Sequence, residues 1–371
     1  MNTLSRIEVE GFKSLKNIDL SLRSLNVLIG ANGAGKSNFV SLFEMLNFLT
    51  TEGLQLFVGL NGGANSLLYY SARVTPQMRI KLHFETDSGT SGYYMRLMDA
   101  APDTLIYAEE AIYYTKKGYS FPPLEIQLGA GHKETRLNES KERGSKITEQ
   151  IMRLIISKCK VFQFHDTSKT SLIRRKGNIQ DNKYLKSNAG NIAAYLYMLK
   201  LSKREYYERI VSTIRLVAPH FGNFEMEPDS IDSNSIMLNW YEAGSDYLFG
   251  PHQLSDGLLR FMALTTLLLM PEDSLPSVII IDEPELGLHP YAINVLGSIL
   301  KKASKHCQVV LATQSVNLLD QFAPEDIIVV QRNKGESAFE RLGEKALDEW
   351  LKEYTIGELW EKNVIGGRPS R

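Results

Sequence analysis

Residues Leu25 to Asn38 read LNVLIGANGAGKSN, an apolar run that breaks into a glycine-rich loop ending in Lys36 and Ser37. From Gly30 the spelling is G-x-x-x-x-G-K-S. Its surroundings are those a phosphate-binding loop requires, with a predicted strand before it (Leu25 to Ile29) and an amphipathic helix after it (Ser37 to Leu49). Glycines at 30, 33 and 35 open backbone conformations closed to other residues. Successive amides from Gly30, Ala31, Asn32, Gly33, Ala34 and Gly35 to Lys36, Ser37 and Asn38 can therefore turn toward phosphate oxygens at a helix N-terminus. Lys36 would reach the terminal phosphates, and the Ser37 hydroxyl would be one ligand to a bridging magnesium ion.

A second constellation lies far downstream, in SVIIIDEPELGLHP (residues 277–290). Its unbroken apolar run predicts a strand buried on both faces, as in parallel sheets. Asp282 and Glu283 fall at the C-terminal end of that strand, where such sheets bind ligands. Asp282 suits the magnesium hydration shell and Glu283 suits polarisation of an attacking water. Upstream, Ser255, Asp256 and Gly257 open a strongly apolar helix, whose free N–H groups and dipole favour an anion. Taken alone, the same spelling is also an ordinary helix cap. Gln308 to Thr313 repeats the buried-strand pattern and runs into Gln314 and Ser315.

The 371-residue chain is 43% hydrophobic with a formal net charge of −1, which suits a globular core and carries no global signature of nucleic-acid binding. Its two cysteines, Cys159 and Cys307, have neither disulfide-framework nor zinc spacing, and no apolar run approaches a membrane span. These features predict a cytoplasmic protein with no membrane part. No internal repeat or long heptad run is visible.

In chain order, Arg6 to Val9 and Ile18 to Leu22 predict strands around a turn at Gly11 to Ser14, which is either an exposed hairpin or a contact to the phosphate loop. Thr51 to Ser71 reads as a surface loop, and Met78 to Glu85, Gly92 to Met98 and Leu105 to Tyr114 as an antiparallel sheet with one wet face. Gly118 to Arg143 is a connector without period. Helices are predicted at Ile147 to Ile156, Asn188 to Leu201 and Glu205 to Val217, with a strand at Lys160 to His165 and a hairpin from Ile236 to Phe249. The basic cluster Lys169, Arg174, Arg175, Lys176, Lys183 and Lys186 is a solvated face or a phosphate-contacting loop. Trp350, Leu351, Tyr354, Leu359 and Trp360 suit two short amphipathic helices that pack on the core or dock a partner.

GANGAGKS, LSDG and IIIDEPELGLHP in that order, with FKSL near the N-terminus, resemble the ABC-type ATPases of the RecF, SMC and OLD group. The resemblance implies an α/β P-loop NTPase, an ABC-type ATPase head with an antiparallel β lobe and an inserted, mostly helical lid. The head would span residues 1–117 and 251–371, and the connector and lid 118–250. It implies ATP and Mg2+ as cofactors, with Glu283 directing hydrolysis and ATP sandwiched between two heads. Ser255, Asp256 and Gly257 of one head would then act on the nucleotide of the other. Lys13 and Ser14 are further candidate nucleotide contacts, and Glu285 to Leu288 the loop communicating between sites.

Where the group usually places a histidine that senses the γ-phosphate, this chain has Gln314, whose amide can donate a hydrogen bond but cannot change charge near neutrality. Hydrolysis would then be slow or partner-dependent. The group's glutamine-loop residue is not marked by its surroundings, with Gln77 as the candidate. The resemblance extends to small RecF-like ATPases that work beside a separately encoded nuclease in phage defence, so the implied partners are a homodimer or higher homo-oligomer, an effector nuclease and DNA. The alternatives are a nucleotide-gated scaffold with little hydrolysis and a RecF-like DNA repair ATPase.

Overall fold

The computed structural model describes residues 2–118, 122–138, 146–228, 231–343, 347 and 349–367. The chain opens with strands β1 (Thr3–Phe12), β2 (Leu15–Ser21) and β3 (Leu25–Ile29), then helices α1 (Lys36–Leu49), α2 (Leu54–Leu60) and α3 (Ala64–Leu67). Strands β4 (Gln77–Thr86), β5 (Gly89–Ala100), β6 (Thr104–Lys116) and β7 (Leu124–Gly129) follow, then α4 (Lys146–Ser157) and β8 (Cys159–Phe162). The middle holds β9 (Gly177–Asn178), α5 (Ile192–Ser202), α6 (Arg204–Val217), β10 (Phe221–Glu225), β11 (Ser235–Ile236), β12 (Asn239–Glu242) and β13 (Leu248–Phe249). The chain closes with α7 (Asp256–Leu268), β14 (Val278–Asp282), α8 (Pro290–Ala303), β15 (Gln308–Thr313), α9 (Val316–Leu319), β16 (Ile327–Asn333), β17 (Glu336–Arg341) and α10 (Ile356–Glu361).

Two six-stranded sheets carry the fold. One has the order β2-β1-β4-β5-β6-β7 with antiparallel neighbours. The other has the order β17-β16-β3-β15-β14-β8 and is parallel except for β17. Every residue of β3, β14 and β15 is buried, and strand alternation divides them between two cores. Val27, Ile29, Ile279 and Ile281 face a layer built on α5, α6, α7 and α8. Leu28, Val278, Ile280 and Val310 face α1 and the antiparallel sheet. A parallel sheet covered on both faces explains the unbroken apolar runs in the sequence.

The structure departs from the sequence expectation in three places. Residues 51–71 are not a loop throughout. Leu54, Phe57 and Val58 are buried at helical spacing on α2, and only the shortness of α2 and its glycine-rich flanks hide the period. The connector contains β7, which extends the antiparallel sheet. β8, which falls inside the 118–250 stretch read as connector and helical lid, is an edge strand of the parallel sheet, paired with β14. Helices α5 and α6 share one continuous core with β3, β14 and β15, because their apolar faces need that sheet for burial.

Candidate functional site

The turn from β3 into α1 holds its shape through contacts from distant strands. Gly35 takes φ +118°, and a Cβ there would lie 2.0 Å from the Ser337 Oγ of β17, so the position excludes a side chain twice over. A relay of hydroxyls closes over the loop. The Asn38 amide donates to Ser14 Oγ (2.7 Å), Ser14 and Ser337 share a hydrogen bond (2.7 Å), and Ser337 Oγ donates to the Ala34 carbonyl (2.6 Å). Ser14 is thus brought to the loop. Its neighbour Lys13 extends along α1, where its ammonium donates to Ser41 Oγ (2.7 Å) and Asn61 Oδ1 (3.1 Å). The Ala31 amide donates to the Gly367 carbonyl (2.7 Å), tying the far end of the chain to the same loop. Asn32, Gly33 and Ser37 are exposed, whereas Lys36 is 5% exposed and folds back to donate to the carbonyls of Gly30 (2.6 Å) and Ala31 (3.2 Å). Burial lowers the Lys36 pKa against the pull of Asp282, Glu283 and Glu285, so three carboxylates lie within its field.

Asp282 ends β14 beside this loop. Burial and the adjacent Glu283 push its carboxyl above the usual range, opposed by His165, the Ser37 hydroxyl bonded to it, and Lys36. Its Oδ1 is buried with no hydrogen-bond partner. Glu283 has φ +44°, a strained value for a residue with a side chain, and its amide donates to the Ala312 carbonyl (2.7 Å). The Gln314 side-chain amide donates to Glu283 Oε1 (2.6 Å). Glu285 is used differently, accepting from Thr313 Oγ1 (2.6 Å) and the Gln314 amide (3.2 Å), which fastens the loop after β14 to the end of β15.

Ser255 caps α7 by accepting from the Leu258 amide (3.2 Å), and both Ser255 and Asp256 are exposed. Gly257 has a reason within its own chain, since a Cβ there would lie 2.2 Å from the Gly287 carbonyl. Two buried arginines that sequence reasoning did not assign to the site hold this corner. Arg260 of α7 donates to the carbonyls of Phe164 (2.9 Å), His165 (3.1 Å) and Leu286. Arg174 donates to Thr167 (2.8 Å), Pro251 and Leu254 (3.1 Å) carbonyls and to Asp256 Oδ1 (2.6 Å). The Arg174 guanidinium is therefore removed from the basic cluster, because its donors are consumed internally. Lys186 is paired with Asp181.

The Gln77 side chain makes no hydrogen bond to the phosphate loop or the acidic pair among the described residues. It sits at the start of β4 and accepts from Arg96 (3.2 Å). The residues that do reach the end of β14 follow β8, whose last register pair is Phe162 with Ile281. Gln163 comes next, donating to Glu44 (2.8 Å), and His165 Nε2 donates to the Asp282 carbonyl (2.9 Å). No local signal marks these two, since their role depends on β8 pairing with β14. Beyond the loop, a cavity of about 460 Å3 is lined by Lys13, Ser14, Asn38, Tyr69, Tyr70 and Arg332 among others. Tyr70 and Ser71 both have positive φ (53° and 73°), and this strained turn leaves the Tyr70 ring 58% exposed at the cavity.

A glycine loop between a central parallel strand and its helix, with an acidic pair at the end of a strand two places away, defines a P-loop NTPase of the ATPase-head type. The chain belongs to the family described as "AAA domain, putative AbiEii toxin, Type IV TA system", whose pattern matches residues 25–320. No curated protein matches its sequence. Among solved structures, an Smc head bound to the C-winged helix domain of ScpA is similar, with TM-score 0.62, 14% identity and coverage of 93% of this chain and 99% of that one. An Smc head with an extended coiled coil, bound to the C-terminal domain of ScpA derived from Pyrococcus furiosus, gives TM-score 0.60 and 15% identity over 95% and 99% of the two chains. At such identities the likeness shows the fold, which is one that generally binds ATP with Mg2+. No helix among the described residues is long and apolar enough to cross a membrane.

Proposed function

We propose that the protein hydrolyses ATP with Mg2+, using Lys36, Ser37, Asp282 and Glu283, and that ATP joins two heads into a switch for a separate effector. The observation that carries the reading is the convergence of the phosphate loop with Asp282, whose buried Oδ1 has no protein partner. An all-oxygen set of Ser37 hydroxyl, Asp282 carboxylate and nucleotide phosphates fits Mg2+, which when bound would neutralise charge on the phosphate oxygens.

The loop amides and Lys36 hold the triphosphate, with Lys36 exchanging its carbonyl partners for phosphate oxygens. The base enters the cavity beside Asn38, where the Tyr70 ring offers a stacking face. Glu283 orients a water toward the γ-phosphorus and accepts its proton as the bond to ADP breaks. Gln314 holds the Glu283 carboxylate in place without competing for that proton. The Ser255 hydroxyl accepts from its own helix and keeps its proton free to donate to a phosphate presented by a facing head, with Gly257 alongside. The Smc heads solved with ScpA engage a partner protein. By analogy the effector here is a separately encoded protein, such as a nuclease, with DNA as a further partner.

Steady-state phosphate release from the purified chain tests the reading. Glu283→Gln is expected to lower the Mg2+-dependent rate about 100-fold or more while nucleotide binding persists. A rate unchanged by that substitution means the residue directs no hydrolysis. A wild-type chain that binds ATP but releases no phosphate favours a second reading, a nucleotide-gated scaffold in which Gln314 keeps Glu283 occupied.

A further inference from the structure

The parallel sheet ends at β8, and no further strand pairs with it among the described residues. In a parallel pair, alternate residues turn their amide and carbonyl toward the neighbour. The Lys158 carbonyl accepts from the Val278 amide, so residues 160 and 162 also face β14, and the peptide groups of Cys159 and Val161 point outward. The edge is open at Cys159 and Val161 and closes just past β8, where the Gln163 amide donates to the Ser187 carbonyl (3.0 Å); the open part forms the floor of a groove of about 1150 Å3, walled by α1 and α2 on one side and by residues 183–188 and 270–276 on the other. Phe48, Phe57, Leu154, Tyr184 and Met270 supply apolar lining, and Tyr184 is 63% exposed. An unpaired strand edge is normally blunted or covered, and an exposed aromatic beside one is unusual.

The charges in the groove are unbalanced in a specific way. Its two carboxylates are engaged, Glu44 by Gln163 (2.8 Å) and Asp273 by Lys203 (2.6 Å). Lys158, Lys160 and Lys183 line the groove with no carboxylate partner among the described residues. All three lysine side chains are exposed, so their charges are available to an occupant of the groove. Lysines alone would serve to blunt the edge. Combined with an apolar trough and outward peptide groups, they form a receptor for an extended chain carrying negative charge.

We propose that the β8 edge binds an acidic, extended segment of a partner protein, which adds a seventh strand to the parallel sheet and places its carboxylates on Lys158, Lys160 and Lys183. Backbone pairing supplies affinity, and the apolar lining with the lysines selects an alternating acidic and apolar sequence. The four-residue length of β8 limits the paired core to a short segment. Asn61 lines both this groove and the cavity beside the phosphate loop, so an occupant lies next to the cavity that the proposed function assigns to the base. Single-stranded nucleic acid would satisfy the lysines but would leave the outward peptide groups unpaired.

The test is selection of a random dodecapeptide phage library on the full-length chain without nucleotide, followed by fluorescence anisotropy of the enriched peptides and of oligo-dT. Enrichment of acidic, alternating sequences whose affinity falls about tenfold or more in Lys160→Glu supports the proposal. So does the same loss in Val161→Pro, which removes an outward amide on an edge where proline is tolerated. Far-UV circular dichroism and the melting temperature establish that both variants are folded, and Lys183→Glu provides a third, loop-borne substitution. Selection of no acidic motif, peptides indifferent to all three substitutions, or tight oligo-dT binding without peptide binding would each overturn it.

Discussion

At the scale of single residues, the site places charge where water would normally be preferred. Asp282 is 9% exposed, and burial together with Glu283 holds its carboxyl above the usual range. A carboxyl with a raised folded pKa binds its proton more tightly when folded. Its contribution to stability is therefore unfavourable near neutrality and recovers as the pH falls through the folded value toward the unfolded one, about 3.9. Asp282→Asn is accordingly expected to raise the melting temperature at neutral pH, with the gap to wild type closing in that acidic window. The same substitution should lower Mg2+-dependent phosphate release about 100-fold. Thermal melts across pH, paired with the hydrolysis assay, check both halves. A variant less stable than wild type at neutral pH would show that Asp282 is compensated by protein contacts. Glu283 is strained in another way, through its positive φ, and local strain of this kind is held only where the surroundings over-determine it. Here those surroundings are the Ala312 carbonyl and the Gln314 amide.

At the scale of elements, the N-terminus of α7 is held by contacts from several directions. Gly257 meets the backbone of Gly287, Arg260 clasps three carbonyls from two loops, and Arg174 binds three more carbonyls and Asp256. Gly257→Ala is therefore expected to shift α7 away from the loop after β14 and to cost about 1–3 kcal/mol, read as a lower urea midpoint at unchanged slope. Arg174→Met leaves buried carbonyls without donors and should cost a similar amount. An unchanged midpoint in Gly257→Ala would mean that α7 is free to adjust. The same bonds tie α7 to the end of β14. His165 and Arg260 link the Asp282 carbonyl, the segment after β8 and the loop at Leu286 into one connected unit.

At the scale of the whole molecule, the exposed Ser255 separates assembly from folding. Ser255→Arg puts bulk and charge on the surface that the sandwich reading assigns to a facing head, while the wild-type side chain makes only its cap bond among the described residues. Loss of the cap is expected to cost about 1 kcal/mol and leave the fold intact, whereas ATP-dependent dimerisation in a Glu283→Gln background should disappear in sedimentation velocity. Persistence of the dimer would remove Ser255 from the interface. The fold tolerates such surface changes because its stability rests on two cores that meet across the parallel sheet.

What the linear chain determined by itself were the features encoded locally. The strand, glycine loop and helix from Leu25 to Leu49, the buried runs at Val278 and Gln308, the acidic pair and the cap at Ser255 all follow from apolar period, glycine placement and caps within a few residues. Tertiary structure alone decided that β8 lies beside β14, that Ser337 and Gly367 close on the phosphate loop, and that Arg174 and Arg260 are internal clamps while the Gln77 side chain bonds to Arg96. The Ser14–Ser337 bond spans 323 positions, and strand register at that separation leaves no trace in local periodicity. Arg174 groups with surface charge in the sequence, and Arg260 carries no assignment there, because a guanidinium is hidden only where several backbone carbonyls converge, and that convergence exists only once the sheets and helices have packed.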